Sequence, residues 1–433
     1  TADDLERFVS DVKAIVTEQR AIYGEYPAYE PGYYTFLADY LPYANGDGME
    51  HRNSTVISAA ASIRADRLRL LGTASHEFFH NWNVERIRPR SLEPFNFEAA
   101  NMSSELWLAE GFTQYYGPLT LSRTGLADLR GTAATWAGLI NTVALNPARL
   151  VRSADAMSRM AAFTDGGRTI DRTNWSTTYI SYYPYGGAIA LALDLTLRDR
   201  TNGRVTLDDF MRAMWQRFGK PGGSRPGYVD RPYTLADVEA TLGEVAGSPE
   251  FAHEFFARYI VGHEAADYTT LLARAGLVMR QARPAVPWIG EAQYTDGGRG
   301  VRIESATVTG TPLFQAGLDR GDEILDLDGQ AVGVPAGFAF AQLAAHGAIT
   351  RKEVLDRPSQ AVAGVRHAVG GRRTFEEHEP RRSGATGERL LVDASLFPEL
   401  QSFLFKARKT DIRRRRLKHR PAYSSSKSGS SSS

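Results

Sequence analysis

The chain has 433 residues, 42% of them hydrophobic and 23% charged, with a formal net charge of +1. That length predicts roughly two or three folded units, and the balanced charge gives no footing for a nucleic-acid partner. Cysteine is absent, so disulfides and thiolate metal ligands are excluded and any metal must be held by His, Asp or Glu.

Residues 3–20 place Leu5, Phe8, Val9, Val12, Ile15 and Val16 at helical spacing. Two strand-like stretches follow, Tyr33 to Leu41 and Glu50 to Ala59, with turn residues Asn45-Gly46-Asp47-Gly48 between them. Arg67 to Asn83 reads as a helix, and residues 104–123 read as a second one. A mainly helical region then runs to about residue 276, including 185–200, 206–218 and 234–245. No apolar run approaches the ~18 residues of a membrane span, so none is predicted. The first residue is Thr1, and no signal peptide is visible.

The character changes near residue 284, where Pro284 and Pro287 predict a linker. Gly300 to Val308 is strand-like, and Gly310-Thr311-Pro312 predicts a turn. The run from Ala316 through Gly321-Asp322-Glu323-Ile324-Leu325 to Asp328-Gly329 resembles the core signature of a PDZ domain. That resemblance covers residues 284–345 only in part. Residues 346–433 carry Arg413 to Arg416 and end in a Ser-rich run, which predicts a disordered basic tail.

The residues that carry chemistry are His76-Glu77-Phe78-Phe79-His80. His76 and His80 are four apart, so a helix puts both imidazoles on one face and within reach of one ion. Glu77 can point at a water beside that ion as a general base. With 9 histidines in 433 residues, a chance match arises in roughly one per cent of such chains. Leu70, Leu71, Phe78, Phe79 and Trp82 predict a buried helix, and buried histidines need partners.

A catalytic zinc site needs a third protein ligand. Glu110 is the candidate, an acid in the apolar run Leu106-Trp107-Leu108-Ala109-Glu110. The alternatives are Glu85, beside Arg86 and Arg88 and read as solvated, and Glu105, read as a helix cap. His253-Glu254 and His263-Glu264 lack a second His at the right spacing and read as surface pairs.

The run from His76 to Asn83, the run from Leu106 to Tyr116, the run from Ser181 to Arg198 and the PDZ-like segment together resemble the glycyl aminopeptidase family of gluzincin zinc peptidases. The resemblance implies an α+β fold: a thermolysin-like catalytic domain over residues 1–283, made of a small β-sheet part and a mainly helical part, followed by the partial PDZ-like β domain. The family's N-terminal β domain has no counterpart here, which predicts a chain that starts mid-protein. The implied roles are zinc ligation by His76, His80 and Glu110, one Zn2+ per chain, and base catalysis by Glu77. Tyr183 is similar to the tyrosine that donates to the developing oxyanion, although Tyr185 stands where a lysine is usual and Tyr182 is adjacent. Gly48-Met49-Glu50 resembles the segment whose glutamate binds the substrate's free amine. The expected function is removal of N-terminal residues, Gly or Ala, from peptides. The alternatives are a zinc endopeptidase that captures substrate tails on the PDZ segment, a PDZ peptide-binding module without catalysis, and an inactive fragment.

Overall fold

In the computed structural model of the chain, α1 (Ala2–Tyr23) starts where the Thr1 hydroxyl accepts the Asp4 amide. It stops at Gly24, whose φ of 88° suits a residue without Cβ. The structure describes residues 1–164, 175–281, 290, 292–327, 330–331 and 390–392. Phe8, Ile15, Ile22 and Tyr23 of α1 are buried, while Leu5 and Val9 of the predicted apolar stripe stay exposed. Gln19, fully buried, donates its amide to the Ser75 carbonyl and hydroxyl at 2.7 and 3.0 Å. This fastens α1 one residue before His76.

Three strands follow: β1 (Thr35–Asp39), β2 (Asp47–His51) and β3 (Ser54–Ser58). β3 is central, parallel to β1 and antiparallel to β2. The stretch expected as one strand from Glu50 to Ala59 is therefore a hairpin that turns at Arg52-Asn53. Asp47 and Gly48, expected in a turn, lie in β2, because the ladder pairs Asp47 with Ser58 and Gly48 with Ile57. Strand alternation sends Gly48, Glu50, Thr55 and Ile57 to one face and Met49 and Val56 to the other. Thr55 and Ile57 are buried, whereas Met49 is 52% exposed.

α2 (Arg67–Phe79) buries Leu70, Leu71, Phe78 and Phe79. The stretch expected as one helix over 104–123 is broken at Glu110 into α3 (Leu106–Ala109) and α4 (Gly111–Arg123). Next come α5 (Leu129–Ala144), α6 (Ala154–Arg159), α7 (Ala161–Thr164), α8 (Trp175–Thr178) and α9 (Tyr182–Thr201). They are followed by α10 (Leu207–Met214), α11 (Leu235–Ala246), α12 (Pro249–Phe255) and α13 (Tyr268–Arg274). The architecture is α+β, mainly helical with small sheets. Among the described residues no helix is long and apolar enough to cross a membrane.

Two glycine contacts set how these helices meet. A Cβ on Gly186 would lie 1.9 Å from the Trp107 carbonyl oxygen and 2.7 Å from Gly111 Cα. α9 therefore crosses the α3–α4 junction backbone on backbone, which side chains would forbid. Gly117 of α4 faces His76 and Gly72 of α2 at ordinary contact distance. The first contact brings the start of α9 beside Glu110; the second brings α4 against the His76 turn.

After α13, β4 (Met279–Gln281) precedes the expected linker, whose Pro284 and Pro287 lie outside the described residues. β5 (Tyr294–Asp296), β6 (Val301–Ile303) and β7 (Glu323–Ile324) form an antiparallel sheet, with α14 (Pro312–Gln315) between β6 and β7. Val301, Ile303, Leu313, Leu318 and Ile324 make its core. The strand expected over 300–308 ends at Ile303. β8 (Asp326–Leu327) pairs antiparallel with β9 (Gln330–Ala331), and the expected Asp328-Gly329 turn lies outside the described residues. The rest of the PDZ-like segment and the basic tail lie outside them too, except β10 (Leu390–Val392), antiparallel to β4.

Candidate metal centre

His76 sits in the last turn of α2 and His80 just past its end. Their Nε2 atoms are 3.0 Å apart. Glu110 Oε2 lies 3.3 Å from His76 Nε2 and 3.2 Å from His80 Nε2. That oxygen is buried and makes no hydrogen bond. A carboxylate oxygen buried without a donor is costly, and a cation between it and the two imidazoles relieves the cost. Tetrahedral bonds of about 2.0–2.1 Å put ligand atoms about 3.3 Å apart, close to the spacing seen. Two nitrogens and one carboxylate oxygen with no thiolate suit zinc.

Electrostatics fit the same picture. Against the penalty of burial, the His80 and His76 imidazoles hold the Glu110 carboxyl well below the usual range. Burial alone would lower His80, but the Glu110 and Glu50 carboxylates outweigh it and raise its pKa. Burial lowers His76. The Glu77 carboxyl is pushed up to about 8, chiefly by burial, with His80 opposing and Glu50 adding to the rise.

Glu77 and Glu50 face the cluster. One ligand atom from each of Glu50, Glu77 and His80 falls within a group spanning no more than 4.8 Å. Gly48, two residues before Glu50 and on the same face of β2, abuts Glu77: a Cβ there would lie 2.2 Å from Glu77 Oε1. Gly48→Ala is therefore expected to fold and bind metal, since a flexible carboxylate can swing aside. Turnover should fall by about 10²-fold, the usual effect of moving a reacting group by an ångström. Steady-state rates alongside metal content check this, and an unchanged rate would show that Glu77 does not need its present place.

Tyr183 enters from the first turn of α9, its ring centroid 5.9 Å from that of His76. Tyr182 is buried beside it, with ring centroids 5.0 Å apart. Tyr185, at the position where a lysine is usual, is buried at 1% exposure with no hydrogen bond to its hydroxyl. Met49 does not join the group, because its side chain leaves on the opposite face of β2. The structure thus brings together His76, Glu77, His80, Glu110, Glu50, Gly48 and Tyr183 and turns the Met49 side chain away.

The rejected acids are placed differently from expectation. Glu85 is not solvated; its side chain is only 16% exposed and pairs with Arg88 at 3.1 Å. Glu105 does stand at the N-cap of α3, but its carboxylate caps no helix amide. It is buried and accepts from the hydroxyls of Ser91, Ser103 and Ser104. His253 is exposed and pairs with Glu239.

Two nearby residues were not foreseen. Tyr34 is half-buried, its hydroxyl buried without a hydrogen bond and its ring packed on Phe78 at 5.0 Å. Its pKa is raised by burial first and then by Tyr29 and Glu77. Asn83 is fully buried just after His80. A polar residue directly after the buried aromatics Phe78, Phe79 and Trp82 is the signal that could have found it.

Residues 69–189 match the model of the M61 glycyl aminopeptidase family. That span holds His76, Glu77, His80, Glu110 and Tyr183 but not Glu50, and it supports a metallopeptidase hydrolase. No curated protein matches. Among solved structures, the fold is similar to that of an aminopeptidase N family protein from Idiomarina loihiensis, with a TM-score of 0.65 at 22% identity. The match covers 78% of this chain and 58% of that one. The chain thus spans little more than half the length of that protein.

Proposed function

We propose that this chain is a zinc-dependent aminopeptidase that removes small N-terminal residues, Gly or Ala, from peptides. The observation that carries the reading is the convergence of Glu50, Glu77 and His80, one ligand atom from each, within 4.8 Å. It sets an amine-binding carboxylate beside the base and the metal ligands. The family match over residues 69–189 supports the peptidase chemistry and the preference for glycine.

His76, His80 and Glu110 would hold the zinc. When bound, zinc supplies Lewis acidity and brings water toward neutral acidity. The substrate's α-ammonium pairs with Glu50. That pairing sets the first peptide carbonyl beside the His76, His80 and Glu110 cluster. Among the described residues β2 pairs only with β3, so its outer edge can take the substrate backbone as an added strand. Glu77 takes the proton from the attacking water and passes it to the leaving amine. The His80 imidazole favours the ionised form of Glu77, opposing the burial that raises it. The Tyr183 hydroxyl donates to the oxyanion as the carbonyl becomes tetrahedral. The PDZ-like segment from 284 is a separate unit in this reading and takes no part in the chemistry.

The test uses one preparation twice. Bound zinc should be close to one equivalent, and hydrolysis of glycyl and alanyl arylamides should vanish on chelation and return with zinc. Intact activity with less than half an equivalent of zinc sinks the metal reading. Glu50→Gln should raise KM for free-amine substrates by about tenfold or more, the worth of one charge-assisted contact of about 1.5–3 kcal/mol. Equal cleavage of N-acetylated and free peptides would replace the exopeptidase with an endopeptidase.

A further inference from the structure

We infer that Asn83 is a positioning residue that sets two of the three metal ligands at once, an inference that rests on the zinc reading above. Asn83 lies three residues after His80 and is fully buried. Its carbonyl oxygen is 2.7 Å from His80 Nδ1. A carbonyl can only accept, so Nδ1 carries the proton and Nε2 keeps its lone pair for the cluster. The side chain reaches the other way. Its amide nitrogen lies 3.1 Å from the Leu108 carbonyl, 3.0 Å from the Ala109 carbonyl and 3.2 Å from the Thr113 hydroxyl oxygen. Leu108 and Ala109 are the two residues before Glu110, and Thr113 is three residues after it. Thr113 in turn donates to the Ala109 carbonyl at 2.7 Å.

These contacts cross the α3–α4 break at Glu110. Leu108 and Ala109 stand in the last turn of α3, where carbonyls lack full helical partners. An amide that gathers both fixes how the chain turns into Glu110. The same residue, through its backbone, fixes the ring of His80. The distance between His80 Nε2 and Glu110 Oε2, 3.2 Å, is thereby held from both ends by Asn83. The Asn83 amide oxygen is buried and makes no hydrogen bond. An alanine there would remove that acceptor together with its burial cost, so what the substitution loses is the amide donors.

The prediction is that losing the amide loosens the ligand set while leaving each ligand in place. Asn83→Ala should weaken zinc binding by about 10–100-fold, the usual effect of removing a group that orients a ligand. Asn83→Ser keeps one donor and less volume, and should fall between the two. Zinc affinity is read by competition with a chromophoric chelator, with no assay of activity. Cobalt-substituted protein gives a second readout, because its visible spectrum reports ligand geometry at full occupancy. It should change in both variants. A merely structural role would lower the melting temperature of the zinc-free protein and leave affinity and spectrum as in the wild type. Affinities within twofold of wild type with unchanged cobalt spectra overturn the inference. If Asn83→Ala fails to fold, Asn83→Ser decides by the same criteria. A wild type that takes up neither zinc nor cobalt sinks the metal reading and this inference together. A wild type that binds, with variants that match it, sinks this inference alone.

Discussion

Glu77→Gln is expected to bind zinc as well as the wild type and to lose about 10²–10⁴-fold in turnover, the worth of a positioned general base. The amide keeps the shape that fits against Gly48, where a Cβ would stand 2.2 Å from Glu77 Oε1. It cannot take a proton from water at neutral pH. His76, His80 and Glu110 are untouched, so metal content should stay close to one equivalent. The substitution also removes a carboxyl whose burial raises its pKa to about 8. Stability should therefore hold or rise slightly. Single-turnover rates with zinc analysis give the answer. An active variant with full zinc would remove Glu77 from the mechanism, and loss of zinc together with activity would make it a fourth ligand.

Gly186→Ala is expected to be the most destabilising single methyl added to the helical part. The new Cβ would sit 1.9 Å from the Trp107 carbonyl oxygen and 2.7 Å from Gly111 Cα. Both are backbone atoms, so no rotamer change relieves the overlap and α9 must move off the α3–α4 junction. Overpacking of this kind costs about 3 kcal/mol. For a unit of roughly 280 residues that corresponds to a fall of about 5 °C in melting temperature. Zinc affinity should drop as well, because Glu110 borders the junction. Gly138→Ala is the control. Gly138 lies in α5 with nothing within 4 Å of its Cβ position, so alanine should be neutral or stabilising by up to about 1 kcal/mol. Equal melting temperatures for the two variants would mean that the crossing is looser than its geometry implies.

Much of the secondary structure was legible because it is local. The helix that carries His76 and ends at His80 follows from Leu70, Leu71, Phe78 and Phe79 recurring on one side. The hairpin was not legible. Asn45-Gly46-Asp47-Gly48 has the composition of a turn, yet Asp47 and Gly48 pair with Ser58 and Ile57. Register is set by which face meets α2, and that is a tertiary fact. The break at Glu110 was equally hidden. Nothing between Leu106 and Arg123 interrupts a helix until Pro118, and it is the contact of Gly111 with Gly186 that lies at the kink. Glu85 was misread because Arg86 and Arg88 look like a solvated run. Instead Arg86 is 3% exposed and donates to the carbonyls of Ala28, Arg52 and Asn81.

The sequence by itself determined the pair His76 and His80 and the carboxylate between them, since four residues make about one helical turn and the geometry needs no other segment. It also narrowed any metal's donors to His, Asp and Glu, because the chain has no cysteine. Only the tertiary structure decided which distant acids join them. Glu110 comes within 3.3 Å of both imidazoles because glycines let α4 and α9 approach and Asn83 grips the turn before it. Glu50 arrives, and Met49 does not, because strand pairing fixes which alternate side chains of β2 face the helix. Those placements depend on packing between segments far apart in the chain, where no periodicity in the sequence can register them.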